Sequence, residues 1–381
     1  MKIKRSSKCY FNKWLTQSKM LEIKDLIHEY TRICIYFTET YENCIPEKKK
    51  FELLQAKYIQ KCIQETNTFL TARLIKQAFS EAYSQIQSAK SYAESRKDKK
   101  YFRPTFNNKR MVLSECSQEF GISKNMKSFD YYVTLKSLRT DKSRGYKITI
   151  PLRKHTQFNK WNNIGKIAKS ITITDKYVVF SFEIETGEKK QEGIMVGFDF
   201  GMKRLGTLSN GDIIGENIEK HLYELQCKKN YSKAYYRKKE EIKEYINKEV
   251  KNIHFSDVKL IVVENLKNMK YKMKERGRLS KSIRSVFYNL SYRQVLNRIQ
   301  MLSEENRVVF RSVSPYNTSL ECSCCGHIGK GNRLSQESFI CQKCGYSDNA
   351  DNNASKVILK RFTMGTYGSH YKQEYLDKYA C

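Results

Sequence analysis

The sequence predicts a multidomain α+β protein, in which a helical region and an antiparallel β module precede an α/β domain that carries a small cysteine-rich ribbon. Three observations predict this architecture. Apolar residues recur at helical spacing near the N-terminus, at a period of two from about residue 129, and as continuous strand-like runs from Ile194 onward. A chain of 381 residues and 45.0 kDa is long enough for two or three domains.

The first residues, Lys2–Tyr10, are predicted to form one basic strand, and a helix follows from Ser18. A second helix is expected after Pro46 and a third near Phe69, before the charged loop at 96–100. The first helix should bury one apolar stripe, because its apolar residues recur at helical spacing. That stripe consists of Ile23, Leu26, Ile27, Tyr30, Cys34 and Phe37.

The β module is predicted from four segments in which apolar and polar residues alternate. The last two segments should form a hairpin through Asp175 and Lys176. Two interpretations of this module remain open: a basic platform that holds RNA or a duplex, and a scaffold barrel. The predicted strands are 131–138, 146–152, 170–174 and 177–184.

The third region begins with an apolar strand, Ile194–Asp199, and a second apolar strand ends at Glu264. Asn210-Gly211 predicts a hairpin between them, followed by a charged helical stretch at 218–251. After Glu264 we expect a basic loop at 268–282, a helix at 283–302, a strand at 307–313 and a helix at 353–362. This element order is that of an RNase H-like fold.

Two Cys-x-x-Cys pairs, Cys322/Cys325 and Cys341/Cys344, predict a zinc site. Each pair can present two thiolates from one tight turn, so that four thiolates surround one Zn²⁺ in a tetrahedron. Cys324 could replace Cys325, but the glycine after Cys325 matches the glycine after Cys344 and suits a knuckle turn. His327 could substitute for a ligand, although four cysteines already complete the shell.

Asp199, Glu264 and Asp351 are candidate ligands for two catalytic Mg²⁺ ions. An acid that ends an apolar strand is costly to desolvate, so two such strands in one domain favour a metal site. Hard Mg²⁺ prefers carboxylate oxygens, and a pair of ions can activate water and stabilise a leaving oxygen during phosphodiester hydrolysis. Each acid taken alone could instead be an ordinary strand-end or cap residue, with Asp351 as a helix N-cap.

The formal net charge is +31, from 71 basic and 40 acidic residues, which indicates a polyanionic partner such as nucleic acid. A lysine-rich, AT-rich genome is the alternative explanation. The sequence contains no apolar run of membrane-spanning length, so we expect a protein of the cytosol or nucleoid with no membrane partner. It also contains no Gly-x-x-x-x-Gly-Lys-Ser/Thr phosphate loop and no Gly-x-Ser-x-Gly nucleophile elbow.

Several motifs, in this order, resemble the RuvC and zinc-ribbon signature of transposon-encoded TnpB proteins and the related miniature type V CRISPR effectors. The resemblance covers about residues 194–362, and the β module before it is similar in a few segments. The motifs are Gly197-Phe-Asp199-Phe-Gly201, Val263-Glu264-Asn-Leu266, Pro315-x-x-Thr318-Ser319-x-x-Cys322-x-x-Cys325-Gly326, Cys341-x-x-Cys344-Gly345 and Ala350-Asp351-x-Asn353-Ala354.

The resemblance implies an RNA-guided DNA endonuclease with guide RNA and target DNA as partners, acting as a monomer or as a homodimer around one RNA. It implies Asp199, Glu264 and Asp351 as the magnesium triad and the four cysteines as the ligands of one structural zinc. It also implies that the protein reads a short duplex motif beside the target while base pairing reads the rest. A transposon locus and a CRISPR locus both fit.

Two alternatives come from other classes: a nuclease-inactive RNA-guided DNA-binding repressor, and an unguided RNase H-like nuclease. The presence of all three acids argues against the first, and the large basic N-terminal half argues against the second. Three departures from the family pattern are a short segment between Asp199 and Glu264, Asn349 where many relatives carry arginine, and a tyrosine-rich tail after Lys360.

The resulting prediction divides the chain into six segments. They are 1–17 as the first wedge strand, 18–104 as a helical recognition domain, 105–192 as a β-rich wedge domain, 193–314 as the first part of the RuvC nuclease, 315–347 as a zinc ribbon that binds target nucleic acid, and 348–381 as the last part of the nuclease with the tail.

Overall fold

The computed structural model divides the chain into two compact units, Met1–Glu185 and Thr186–Cys381. The basic loop predicted at 268–282, the first part of the helix predicted at 283–302, most of the loop at 96–100 and the tail lie outside the described residues. The finer six-part division stays a prediction. The described residues are 1–42, 48–95, 100–114, 119–124, 128–143, 145–201, 203–266, 292–335 and 337–365, without the side chains of 48–55 and 124.

Three helices of the first unit confirm the predicted helical region: α1 (Gln17–Tyr41), α2 (Lys48–Thr66) and α3 (Ala72–Glu94). All six residues of the predicted stripe on α1 are buried. Phe37 of α1 meets Phe79 of α3 edge to face, with 4.8 Å between ring centroids. Apolar periodicity therefore predicted which face of α1 enters the core.

Two antiparallel sheets make up the β part of the first unit. The four-stranded sheet has the order β1-β7-β6-β2 and the three-stranded sheet the order β3-β4-β5. The predicted hairpin is confirmed, because Ile173 of β6 pairs with Val178 of β7. The strands are β1 (Lys2–Tyr10), β2 (Arg110–Ser114), β3 (Phe120–Lys124), β4 (Tyr131–Lys136), β5 (Lys147–Leu152), β6 (Gly165–Thr174) and β7 (Tyr177–Glu185), and a short helix α4 (Thr156–Ile164) precedes β6.

One five-stranded sheet forms the core of the second unit, with the order β10-β9-β8-β11-β12. The strands β8, β11 and β12 are parallel, whereas β9 and β10 are antiparallel additions. Parallel strands are covered on both faces, which explains the continuous apolar runs in the sequence. The strands are β8 (Ile194–Asp199), β9 (Gly206–Leu208), β10 (Ile213–Ile214), β11 (Val258–Glu264) and β12 (Val309–Val313).

The hairpin predicted at Asn210-Gly211 is confirmed, with Gly211 at φ +96°. The helical stretch predicted at 218–251 is instead two helices, α5 (Ile218–Gln226) and α6 (Lys233–Glu249), followed by one 3₁₀ turn. The break has a local cause: the side chain of Ser232 accepts a hydrogen bond from the backbone N–H of Tyr235 at 3.1 Å and starts a new helix.

Two further helices, α7 (Tyr292–Glu305) and α8 (Ala350–Thr363), follow in the second unit. Between β12 and α8 the chain forms a small ribbon with the hairpin β13 (Ser338–Ile340) and β14 (Ser347–Asn349). The ribbon has a core of its own, made by Cys322, Phe339, Cys341 and Ala350. Within the described ranges, no helix is both long and apolar enough to cross a membrane.

Candidate functional site

Two of the predicted acids end neighbouring parallel strands. Asp199 is the last residue of β8 and Glu264 the last residue of β11. The register pairs Phe198 with Val263, so the two acids follow directly at the same edge of the sheet. The carboxyl ends of parallel strands form the usual binding edge of an α/β sheet.

Helix α8 brings the third acid to this edge. Its second residue is Asp351, and the helix crosses β8 at Gly197. A Cβ atom at Gly197 would lie 2.1 Å from the carbonyl oxygen of Ser355, so only glycine allows this close contact. A Cβ atom at Gly201 would lie 3.9 Å from Oδ2 of Asp351, which places this carboxylate beside the end of β8.

All three carboxylates have raised pKa values. Burial raises the pKa of Asp199 well above its ordinary value, and the charges of Glu264 and Asp351 raise it further. Burial also raises the pKa of Glu264, to about 7, although the hydrogen bond from Thr318 and the charge of Arg361 oppose the shift. Burial raises the pKa of Asp351 against the opposing charges of Arg333 and Arg204. Deprotonated together, these groups repel, and a bound cation would relieve the repulsion.

Asp351 is not the N-cap of α8, which was the alternative left open by the sequence. Asn349 holds that position, and its side-chain oxygen accepts hydrogen bonds from the backbone N–H groups of Asp351 at 3.0 Å and Asn352 at 3.3 Å. Because Asn349 satisfies the free amides, the Asp351 carboxylate is available for other partners. Its Oδ1 lies 3.4 Å from a guanidinium nitrogen of Arg333.

Sequence reasoning missed two residues of the site, Thr318 and Arg333. The Thr318 hydroxyl donates a hydrogen bond to Oε1 of Glu264, and the residue is buried. Both residues come from the ribbon region and reach carboxylates on other elements. Thr318 stands in the motif that begins at Pro315, but no spacing rule relates it to Glu264, and nothing in the sequence marks Arg333.

The four predicted zinc ligands converge. Their sulfur atoms all lie within 4.8 Å of one another, with 3.7 Å between Cys322 and Cys344 and 3.6 Å between Cys325 and Cys341. These separations are far longer than a disulfide bond and suit four thiolates around one ion. Gly326 and Gly345 have φ values of +76° and +72°, which confirms the turn that favoured Cys325 over Cys324.

Neither alternative ligand belongs to this group. The exposed Cys324 lies outside the four-sulfur cluster. His327 contributes through its backbone, since its carbonyl oxygen accepts a hydrogen bond from the N–H of Cys322 at 2.9 Å. The soft donor set of four sulfurs fits Zn²⁺, whereas the carboxylates of Asp199, Glu264 and Asp351 are hard oxygen donors, the type that Mg²⁺ prefers, and do not belong to this cluster.

Polar contacts fix the ribbon to the helix that carries Asp351. The buried side chain of Asn353 donates to the carbonyl oxygen of Glu321 at 2.8 Å and accepts from the N–H of Ser323 at 2.9 Å. Lys360 donates to the carbonyl oxygens of Ser323 and Cys324 at 2.9 and 3.0 Å. The metal knuckle and the third acid are therefore held on one structural element.

Comparisons with known proteins agree with the motifs in the sequence. Residues 292–358 match the family described as Cas12f1-like, TNB domain. The Escherichia coli K12 protein "Putative RNA-guided DNA endonuclease InsQ" is 26% identical over 256 residues, which cover 56% of this chain and 61% of that protein. The Cas12f1 endodeoxyribonuclease of Sulfoacidibacillus thermotolerans is 40% identical over 70 residues, which cover 18% of this chain and 17% of that protein.

These alignments span less than two thirds of either relative. Two solved structures share the fold over most of the chain. A Cas12f1–sgRNA–target DNA complex has a TM-score of 0.58 at 17% identity, over 90% of this chain and 83% of that one. The mini-RNA-guided endonuclease CRISPR-Cas_phi3 has a TM-score of 0.61 at 9% identity, over 94% and 92%. The chain thus resembles the TnpB-like and miniature type V proteins, in sequence over part of its length and in fold over most of it.

Proposed function

We propose that the protein is an RNA-guided DNA endonuclease that hydrolyses phosphodiester bonds with two Mg²⁺ ions held by Asp199, Glu264 and Asp351. The observation that carries this proposal is that three carboxylates with raised pKa values lie at one edge of a parallel sheet, where the charges of Glu264 and Asp351 raise the pKa of Asp199. Such an arrangement is unfavourable unless a cation occupies it, and clustered perturbed acids are typical of functional sites.

The sheet order supports an RNase H-like, or RuvC, assignment for the second unit. A hairpin of antiparallel strands extends the parallel strands β8, β11 and β12, and α8 packs across the first of them. In this arrangement the three acids come from the ends of two strands and the start of one helix. Chain segments that are distant in sequence are thereby brought together.

Bound Mg²⁺ ions would activate a water molecule and stabilise the leaving oxygen of the phosphodiester. The protein's own part is to fix the three carboxylates. Thr318 holds the Glu264 carboxylate through its hydroxyl, and Asn349 leaves the Asp351 side chain available by capping α8 itself. Arg333, 3.4 Å from Asp351, adds positive charge where a phosphate would enter.

The four cysteines would hold one structural Zn²⁺, and the ribbon they close would contact target nucleic acid. We assign the helical and β-rich parts of the first unit to guide-RNA binding. The net charge of +31 supports a polyanionic partner, and the E. coli relative is named as RNA-guided. Cas12f1 proteins, named as endodeoxyribonucleases, support DNA as the substrate.

The proposal is tested with protein purified from its host together with any bound RNA. We expect a defined RNA, and cleavage of a DNA duplex matched to that RNA when Mg²⁺ is added. Asp199→Ala and Asp351→Ala should bind the duplex without cutting it. Asp212→Ala is the matched control, because Asp212 is an exposed acid on the turn of the same sheet and should leave cleavage unchanged.

Purification without RNA, or cleavage that persists in both acid variants, would overturn the proposal. RNA-guided binding without cleavage by the unaltered protein would favour a repressor instead. Cleavage that needs no RNA would favour an unguided nuclease.

A further inference from the structure

Arg139 and Arg153 of the first unit both stack on aromatic rings, and they differ in their acidic partners. The guanidinium carbon of Arg139 lies 3.8 Å from the centroid of the Phe69 ring. Arg139 also donates to Asp25 at 2.6 Å and to both carboxylate oxygens of Asp141 at 2.8 and 2.6 Å. Its side chain is only 11% exposed. Arg139 is therefore a neutralised structural residue.

Arg153 also stacks on aromatic rings, but it differs from Arg139 in its acidic partners. Its guanidinium carbon lies 4.6 Å from the centroid of the Trp14 ring and 5.6 Å from that of Phe129. The residue is exposed, and in the ranges given above it forms no ion pair with a carboxylate. Asp130 accepts a hydrogen bond from the backbone N–H of Lys154, the residue after Arg153, at 2.8 Å. The planar fork of Arg153 is thus held in place by rings while its donors face solvent.

The rings around Arg153 are partly open to solvent. Trp14 is 42% exposed, whereas the other tryptophan of the chain, Trp161, is 3% exposed. Phe129 meets Trp14 edge to face at 5.7 Å and meets Tyr132 in the same way at 6.0 Å. An exposed indole beside a fixed guanidinium matches the two parts of a nucleotide, a flat base and an anionic phosphate.

We propose that Trp14, Phe129 and Arg153 form a nucleotide-binding surface for the guide RNA, an inference that rests on the proposed function. An unstacked base packs against Trp14, and the guanidinium of Arg153 donates hydrogen bonds to a backbone phosphate. Folded RNA offers such bases in loops and bulges, whereas the bases inside a DNA duplex are covered by their neighbours. The exposed residues Lys13 and Lys154 add positive charge next to this surface in the sequence.

The direct test uses the full chain with its co-purified RNA. Ultraviolet irradiation followed by peptide mass spectrometry should give a ribonucleotide adduct on the peptide that contains Trp14. In a Trp161→Phe background, Trp14 is the sole tryptophan, and its fluorescence should rise when the RNA is removed with nuclease. A deoxyribonucleotide adduct after matched DNA is added, or no adduct at Trp14, would overturn the proposal.

Single substitutions distinguish the contribution of base stacking to RNA affinity from that of charge. Trp14→Ala should weaken rebinding of the co-purified RNA to stripped protein about tenfold, the usual effect of losing one base stack. Arg153→Gln should weaken it and lower the salt slope of the binding constant by about one. Arg153→Lys should keep the slope but lose affinity. Lys2→Gln is the control, since Lys2 and its partner Glu185 are both highly exposed on the same unit.

Circular dichroism of each variant verifies that the fold is intact. Equal RNA affinity of Arg153→Gln, Trp14→Ala and Lys2→Gln would overturn the proposal while leaving RNA-guided cleavage untouched. An unaltered protein that carries no RNA would instead contradict the proposed function itself.

Discussion

Buried acids have different surroundings in the two units. In residues 1–185, two acids with largely buried side chains are paired with arginine: Glu42 with Arg103 at 2.7 Å, and Glu81 with Arg110 at 2.9 Å. Residues 186–381 also contain such a pair, Glu321 with Arg361, but there the charges of Glu264 and Asp351 raise the pKa of the buried Asp199. A buried carboxylate that stabilises the fold is neutralised by a cationic side chain of the same protein. A cluster of carboxylates with too few cationic side chains beside it favours binding of a cation from solution.

Cysteines show the same contrast. Cys9 and Cys62 of the first unit are buried, and burial raises the pKa values of their thiols to about 12 and about 11, so they are inert at neutral pH. The four ribbon cysteines converge on one point. Burial opposes ionisation of Cys341, but backbone N–H groups and neighbouring thiols lower its pKa to about 6, whereas burial raises the pKa of Cys322 in the same cluster to about 12. The first unit therefore buries cysteines singly, whereas the second unit brings four cysteines together.

The largest effect is expected from breaking the cysteine cluster. Cys341→Ser should abolish zinc binding, which supplies roughly 10 to 16 kcal/mol in small zinc modules, and should therefore unfold the ribbon. Metal analysis should find one zinc per unaltered chain and none in the variant, and proteolysis should cut the variant within the ribbon. Cys324→Ser and Cys62→Ser should retain the zinc. Zinc retained by Cys341→Ser would break the contrast between the two sets of cysteines.

Glu119 is the exception in the first unit and sharpens the comparison. It is fully buried, its Oε2 accepts from the N–H of Ser114 at 2.6 Å, and its Oε1 has no partner among the described residues. Burial raises its pKa from 4.5 to about 7. The folded state therefore holds this proton more tightly than the unfolded chain does.

The stability that Glu119 contributes should thus be complete below pH 4.5 and be lost as the pH rises to about 7, by up to about 3 kcal/mol. Urea unfolding followed by tryptophan fluorescence measures this unit alone, because Trp14 and Trp161 both lie in it. Glu119→Gln should flatten the pH dependence between 4.5 and 7. An unchanged slope in the variant would show that Glu119 is not a buried acid of this kind.

Substitution of Thr318 tests whether uncharged side chains position the acids of the second unit. Thr318→Val removes the hydroxyl that bonds Glu264 at similar volume. Losing a partner that orients a metal ligand costs about 10- to 100-fold in metal affinity or activity. We expect a decrease of this size in cleavage, with RNA and zinc content unchanged, and recovery in Thr318→Ser. Equal activity of the valine and serine variants would rule out a positioning role.

The smallest effects come from neutralising one acid in each unit. Glu42→Gln should lower the free energy of unfolding by about 1 kcal/mol, because Arg103 is half exposed and water replaces part of the lost pair. Asp199→Asn should slow hydrogen exchange of β8 when metal is absent and the pH is high enough to ionise Asp199, since it removes a buried repelling charge. Faster exchange in Asp199→Asn would mean that the acids do not repel one another.

The sequence was sufficient to predict features that depend on a single short segment. The strands that end at Asp199 and Glu264 are continuous apolar runs, the four clustered cysteines follow a local spacing, and Asn210-Gly211 defines its own turn. These features could be predicted because the physical cause lies within a few residues.

The sequence was not sufficient to predict features that depend on tertiary contacts. Strands β2 and β3 have five residues each, so their local pattern is too short to predict; β2 obtains its partner β6 from a distant segment, whereas β3 pairs with the next strand, β4. Thr318 bonds an acid 54 residues away. Asn349 and Asp351 are both favourable N-cap residues for α8. Asn349 takes the N-cap position because β14 ends there.

Helix α8 has a consequence for biosynthesis. It supplies Asp351, closes over Gly197 of β8 and clamps the ribbon through Asn353, yet it follows every other described element in the chain. During translation the sheet and two of its acids leave the ribosome well before this helix does. On the proposed function, a nascent chain therefore lacks one acid of the triad until synthesis has passed the ribbon.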